Sequence, residues 1–245
     1  MRITQGYVSK SVMDFPFHQI YSLDDYKDQY DPAVFFGMYR YEDFVLALEH
    51  HSRSRIFLTG QDALDGTYID EDMYFDTAHP KVYKRIHEKG SDCELVKPSA
   101  FLNSVQPQRL GKIIYAYCPA STPDYHGWPI IKQLQGAGYN IIFVNNPYSQ
   151  FQWRYGKADE YYNPCFIGLC LSEFAGGGTS IIEMGLRGMK VVTNVFDLPN
   201  CIPWNSVEDI IQAIEEETKN IGTTNEKLAR QVWDSLDHKH EWLEI

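Results

Sequence analysis

The sequence predicts an α/β fold of two parallel-sheet units in tandem, on three observations. Short apolar runs alternate with segments of helical period along the whole chain, the pattern of repeated strand–helix–strand units. A polar, proline-bearing stretch, 103–110, lacks periodicity and divides the chain. At 245 residues the protein is large for one core and small for two, which suits two compact halves. The expected organisation is a first unit over 1–105, a second over 111–225, and a C-terminal helix over 226–245 placed to pack back on the first unit.

In the first half, Met1–Thr4 reads as a short strand and Ala33–Gly37 as a buried one. Glu42–His51 fits an amphipathic helix, with Phe44, Val45, Leu48 and His51 on one side. Arg55–Gly60 is the next strand, and the acidic stretch Asp65–Asp76 reads as a loop. His79–His87 is a short helix with proline at its start, and Cys93–Lys97 a closing strand. In the second half, strands are expected over Lys112–Tyr117, Asn140–Asn145, Cys165–Cys170 and Met189–Thr193. Helices are expected over Trp128–Gln135, after the glycines at 176–178, over Ser206–Lys219 and from Thr224. Two such sheets in tandem imply a cleft bounded by the carboxyl ends of their strands, where open α/β sheets bind ligands.

Net charge is −11 and the sequence pI about 5.1. That field repels phosphate backbones and argues against tight non-specific nucleic-acid binding. No apolar stretch approaches the ~18 residues of a membrane span, and no signal peptide opens the chain, so a cytoplasmic protein with no membrane partner is expected. Five cysteines without CxxC spacing, three of them in apolar runs (Cys118, Cys165, Cys170), read as buried free thiols rather than disulfides or a zinc site. Oligomeric state leaves no signature in the sequence.

The most informative segment follows the Cys165–Cys170 run. Gly176, Gly177 and Gly178 let the backbone approach a ligand without Cβ interference. Thr179 and Ser180 then cap a helix whose first amides point at an anion, and Glu183, one turn in, can accept two hydroxyl hydrogen bonds, as from a ribose diol. The alternative is a glycine-rich turn that binds nothing. No Gly-Lys-Ser/Thr follows a strand, which excludes the P-loop, and neither Ile181 nor Ile182 supplies the third glycine of the dehydrogenase fingerprint.

The string Thr179-Ser-Ile-Ile-Glu183-Met-Gly-Leu-Arg-Gly188 resembles the ribose-binding segment of glycosyltransferases of the two-Rossmann GT-B architecture, with Glu183 at the ribose position. Ser54-Arg-Ile, with Asp62 eight residues after Ser54, is similar to the DNA β-glucosyltransferases of T-even bacteriophages, in which that aspartate is the base; Tyr30-Asp31 and Glu241-Trp242 also have counterparts. The resemblance implies two Rossmann-like domains facing across a cleft, a UDP-sugar donor and no tightly bound cofactor. It implies as acceptor a 5-hydroxymethylated pyrimidine in double-stranded phage DNA, and a host-cell cytoplasmic location. A glycan or lipid acceptor, which the acidic charge favours, and a catalytically silent nucleotide-sugar-binding module are the alternatives.

The chain departs from the family where arginines grip the diphosphate: those regions read Ser121–Trp128 and Ser180. His126, the helix N-termini near Gly127 and Gly178, and Arg154 or Lys157 are left to supply the positive potential. Asp62 is the expected catalytic base, its alternative being a cap on the following turn. Asp70-Glu-Asp72 matches the metal-binding DxD of the other glycosyltransferase class, but a solvated acidic loop explains it better; no metal ligand is assigned, and a divalent metal is compatible but not required. His238-Lys-His240 reads as an exposed tail and His50-His51 as a helix end. Lys81, Lys84, Arg85 and Lys89 form a basic helix face, solvated or in contact with a DNA backbone.

Overall fold

In the computed structural model the described residues are 2–12, 17–59, 62, 73–99, 104–118, 123–144, 159–172 and 178–244. They fall into two compact units, one from Met1–Ala100 with Asp237–Ile245, the other from Phe101–Glu173 with Gly178–Leu236.

The first unit is a six-stranded, all-parallel sheet in the order β2-β1-β3-β4-β5-β6. Its strands are β1 (Gln5–Val8), β2 (Asp24–Asp25), β3 (Ala33–Phe36), β4 (Ser54–Phe57), β5 (Tyr74–Thr77) and β6 (Asp92–Leu95), with helices α1 (Phe17–Tyr21), α2 (Tyr41–Leu48) and α3 (Pro80–Glu88). β3 is central and wholly buried, as its Ala-Val-Phe-Phe run requires in a sheet covered on both faces. On one face Phe17 and Tyr21 stack on Phe36 at 4.4 and 5.2 Å, and Trp242 from the chain's last turn packs on Phe57 and edge-on to Tyr21.

Three expectations are corrected here, each for a polar reason. The first strand begins at Gln5 rather than within Met1–Thr4, because the Gln5 amide donates to the carbonyls of Asp28 and Asp31 and accepts from the amides of Lys27 and Asp28. A polar residue in a strand is stable when it is so fully paired. The acidic loop expected to run to Asp76 gives way to β5, since Asp76, fully buried, is held by Arg55 of β4 at 2.7 Å. Arg55 also reaches Glu94 of β6 at 3.1 Å, so three adjacent strands share one cation. Burial pushes the Asp76 carboxyl up to about 7 against the pull of Arg55.

Third, α2 turns a different face inward from the Phe44–Val45–Leu48 stripe: Asp43 and Ala47 are buried, while Leu48 is 52% exposed. The Asp43 carboxylate accepts from the hydroxyls of Tyr7 and Ser9 and the amides of Tyr39 and Arg40, and four such bonds outweigh the apolar stripe. The helix also stops at Leu48, so His50 lies beyond its end, buried beside Tyr26, with its pKa lowered by desolvation.

The second unit is a five-stranded parallel sheet in the order β11-β10-β9-β7-β8. Its strands are β7 (Ile113–Tyr117), β8 (Ile141–Val144), β9 (Cys165–Cys170), β10 (Lys190–Thr193) and β11 (Cys201–Ile202). Its helices are α4 (Trp128–Gly136), α5 (Asp159–Tyr162), α6 (Thr179–Leu186), α7 (Val207–Glu217) and α8 (Glu226–Ser235). β9 is buried at every residue. α7 starts on a Ser206/Asp209 capping box and α8 on Asn225, which accepts from the Leu228 amide. α8 packs on α6 within this unit, while Asp237 onward belongs to the first. The irregular stretch before β7 is pinned to the second unit, with amides of Gln106, Gln108 and Leu110 bonded to carbonyls of Leu186, Arg187 and Thr223.

In each sheet the strand order reverses direction at one place, between β1 and β3 and between β7 and β9. Parallel α/β sheets bind ligands beyond the carboxyl ends of the strands at such points. All five cysteines are free thiols, with Cys201 half-buried and the others buried. No helix among the described residues is long and apolar enough to cross a membrane. Because Trp242 closes the aromatic stack over Phe57, Trp242→Ala is expected to destabilise the protein by about 3–5 kcal/mol, read as a lowered midpoint in chemical denaturation.

Candidate functional site

The reversal point of the second sheet is flanked by the two segments the sequence singles out. One leaves β7 and carries His126 and Gly127; the other leaves β9 and enters α6 at Gly178. Gly127 has φ +78°, and a Cβ there would strike the Leu171 side chain at 2.7 Å, so the two segments lie against each other. Gly178 has φ +62°, where a Cβ would overlap the Phe196 ring. Both positions therefore require glycine. Gly176, Gly177, Arg154 and Lys157 lie outside the described residues, as does Asp70-Glu-Asp72.

The two helix starts are unequal as anion seats. At α4 the Trp128 amide is bonded to the Pro123 carbonyl, Pro129 has no N–H, and the Ile131 amide is bonded to Gly127. Only Ile130 retains a donor there. At α6 the Ile182 amide is bonded to the Gly178 carbonyl, and the amides of Thr179, Ser180 and Ile181 before it have no acceptor among the described residues. Ser180, where the resemblance has arginine, sets its hydroxyl 3.4 Å from the Tyr115 hydroxyl.

His126 is buried between the ring edges of Tyr117 and Tyr125, and its Nδ1 has no hydrogen-bond partner. Desolvation pushes its pKa down to about 4, so near neutral pH the ring is uncharged. It offers a hydrogen bond to a ligand rather than the cationic charge the sequence suggests.

Glu183 faces inward on α6, 2% exposed. Its Oε2 accepts from the Tyr162 hydroxyl at 3.0 Å, whereas Oε1 accepts no hydrogen bond from the described residues. Burial pushes its carboxyl up to about 7, opposed by the nearby Arg187 guanidinium and the Tyr162 bond. Arg187, a turn further on, donates from Nη1 to the Glu183 carbonyl and from Nη2 to Asp159 at 2.9 Å, and its guanidinium lies 5.2 Å over the Tyr162 ring. Asp159 and Tyr162 both belong to α5, so this short helix is fastened to α6 at two points.

In the first unit, Asp62 is 6% exposed just beyond the carboxyl end of β4. Its Oδ2 accepts from the amides of Met38 (3.1 Å) and Thr59 (3.2 Å), holding together the chain leaving β3 and β4. Tyr39 spans the same ends, its hydroxyl 2.7 Å from that of Thr59. Asp43, absent from the sequence-based candidates, lies beside it with four donors and caps α2. Its only signal in the sequence is its place three residues after Arg40, at the third helical position. Among the described residues no group of three His, Cys, Asp or Glu could hold a metal ion. His240 is folded in, edge-on to Tyr21 at 4.9 Å, rather than exposed. Lys84 of the basic face on α3 is within 3.8 Å of Glu88.

No family model matches the sequence, and no curated protein matches it. Among solved structures, a crystal structure of TarM, a GT-B glycosyltransferase, superposes with a TM-score of 0.63 at 9% identity, over 88% of this chain and 55% of that one. A mutant of S. aureus TarM in complex with fondaparinux, alpha-GlcNAc-glycerol and UDP gives 0.53 at 10% identity, over 82% of this chain and 50% of that one. The chain thus spans about half the length of the structures it matches. The fold is of the GT-B kind, two parallel-sheet α/β units.

Arg187 is buried, but its partner Asp159 is largely exposed and regains water when the pair is broken. Arg187→Met is therefore expected to cost about 1–3 kcal/mol, read from the urea midpoint, less than breaking a pair buried on both sides.

Proposed function

We propose that this chain is a glycosyltransferase using a UDP-sugar, with Glu183 holding the ribose and Asp62 serving as base toward the acceptor hydroxyl. The observation that carries the reading is Glu183. A carboxylate buried one turn inside a helix at the sheet's reversal point, with one oxygen held by Tyr162 and the other accepting no hydrogen bond from the described residues, is suited to take a ligand's hydroxyls. The amides of Thr179, Ser180 and Ile181, which have no acceptor among the described residues, suit the diphosphate and support a nucleoside diphosphate along the start of α6. The UDP in the S. aureus TarM complex supports uracil as the base of the donor nucleotide.

In the reaction the acceptor oxygen bonds to the anomeric carbon as the bond from that carbon to the diphosphate oxygen breaks. The acceptor's proton passes to the Asp62 carboxylate and UDP departs. The two amides on Oδ2 fix the Asp62 carboxylate in place beyond β4.

The acceptor has two readings. The Ser54–Asp62 spacing and the basic face on α3 support a hydroxymethylated pyrimidine in DNA. The net charge of −11, and the alpha-GlcNAc-glycerol in the TarM complex, support a glycan or polyol hydroxyl, with a hexose as the sugar moved. Labelled UDP-sugars offered with hydroxymethylcytosine DNA, unmodified DNA and glycerol-based polyols separate the two. Nucleotide binding without turnover on any acceptor would leave a silent binding module.

Glu183→Ala should weaken UDP binding about tenfold to a hundredfold by calorimetry, the loss of hydrogen bonds to a charged group. Unchanged affinity would sink the ribose assignment. Asp62→Asn keeps an oxygen acceptor for Met38 and Thr59, so UDP affinity should persist while transfer falls at least about a hundredfold. The ribose hydroxyls donate to the ionised form of Glu183, so protons compete with UDP. Affinity should hold above pH 7 and fall below it, approaching tenfold per pH unit.

A further inference from the structure

We propose that Tyr162 is a positioning residue that aims the Glu183 carboxylate and thereby sets the preference for ribose over 2′-deoxyribose. This rests on the ribose reading of Glu183 above and adds to it a residue that touches no substrate. Tyr162 is fully buried, and its hydroxyl gives Glu183 the only hydrogen bond that the carboxylate receives from the described residues. A glutamate side chain has several rotatable bonds, and one fixed oxygen leaves the other a single direction in which to accept.

Tyr162 is itself held at three points. Gln108 Nε2 donates to its carbonyl at 2.9 Å, Arg187 lies over its ring, and the Tyr115 ring meets it edge-on at 5.0 Å. Arg187 in turn is anchored on Asp159, in the same four-residue helix as Tyr162. A core position would be better filled by phenylalanine, since burying a hydroxyl is costly unless its bond is used.

The charged and titratable groups around Glu183 are Tyr162 and Asp159 of α5, Arg187 at the end of α6, and Tyr115 of β7. Burial raises the Glu183 pKa, while Arg187 and the Tyr162 bond lower it. Removing the hydroxyl therefore moves the pKa further up, and the break in UDP affinity against pH moves up with it.

The test is Tyr162→Phe, which keeps the ring and its contact with Arg187. UDP and 2′-deoxy-UDP dissociation constants are measured between pH 5.5 and 9. The expected result is a break displaced to higher pH, affinity at pH 7 reduced about three- to tenfold, and the ratio between the two nucleotides pulled toward one. A profile and ratio that match the wild type overturn the positioning role, because Tyr162 then only packs. If the wild type binds no UDP, or Glu183→Ala binds it equally well, the parent reading falls and this one with it. Should Tyr162→Phe fail to fold, wild-type protein labelled with 3-fluorotyrosine gives the second readout. One 19F resonance should titrate with the midpoint of the affinity profile and stop doing so in Glu183→Gln; no resonance following that midpoint overturns the assignment.

Discussion

A carboxylate withdrawn from water one turn into α6 constrains most of what surrounds it. Glu183 cannot remain charged in that position without donors, and the protein supplies one from Tyr162 while keeping the Arg187 cation a turn away. Arg187 needs an anion of its own and takes Asp159, which fastens α5 to α6. The strap before β7 completes the arrangement by bonding to the end of α6 and to the Tyr162 carbonyl. Three segments distant in sequence are thus held in place around one acidic side chain.

The first unit solves a related problem at the same edge of its sheet. Asp43 and Asp62 are both buried beyond the carboxyl ends of strands, and both are satisfied largely by backbone amides. Asp43 is saturated by two hydroxyls and two amides, which makes it a structural cap. On Asp62 the Met38 and Thr59 amides tether the chain leaving β3 to the chain leaving β4. The third buried carboxylate, Asp76, is balanced by a cation rather than amides, and Arg55 can do this because β4, β5 and β6 are neighbours in the sheet.

The two helix starts at the second sheet's reversal point show why a resemblance in sequence must be read through hydrogen bonds. Both follow a glycine with positive φ and both stand at the reversal point of the second sheet. The proline and the inward-bonded amides of α4 leave it nearly without donors, whereas at α6 three amides lack an acceptor among the described residues. A phosphate group is therefore better served by α6, and the uncharged His126 is suited to orient a ligand rather than attract one.

Periodicity and composition by themselves determined the α/β class, the central strands Ala33–Phe36 and Cys165–Cys170, and the helix that follows Gly178. These features depend on neighbours a few residues away, whose spacing is written directly in the chain. The tertiary structure alone decided that β5 is a strand, that α2 buries Asp43 in place of its apolar stripe, and that Tyr162 meets Glu183. Each of these turns on a polar partner 21 to 36 residues distant: Arg55 for Asp76, Tyr7 for Asp43, Tyr162 for Glu183. A buried charge reads as a surface residue until its partner is known, and strand order, not sequence spacing, brings the partners together.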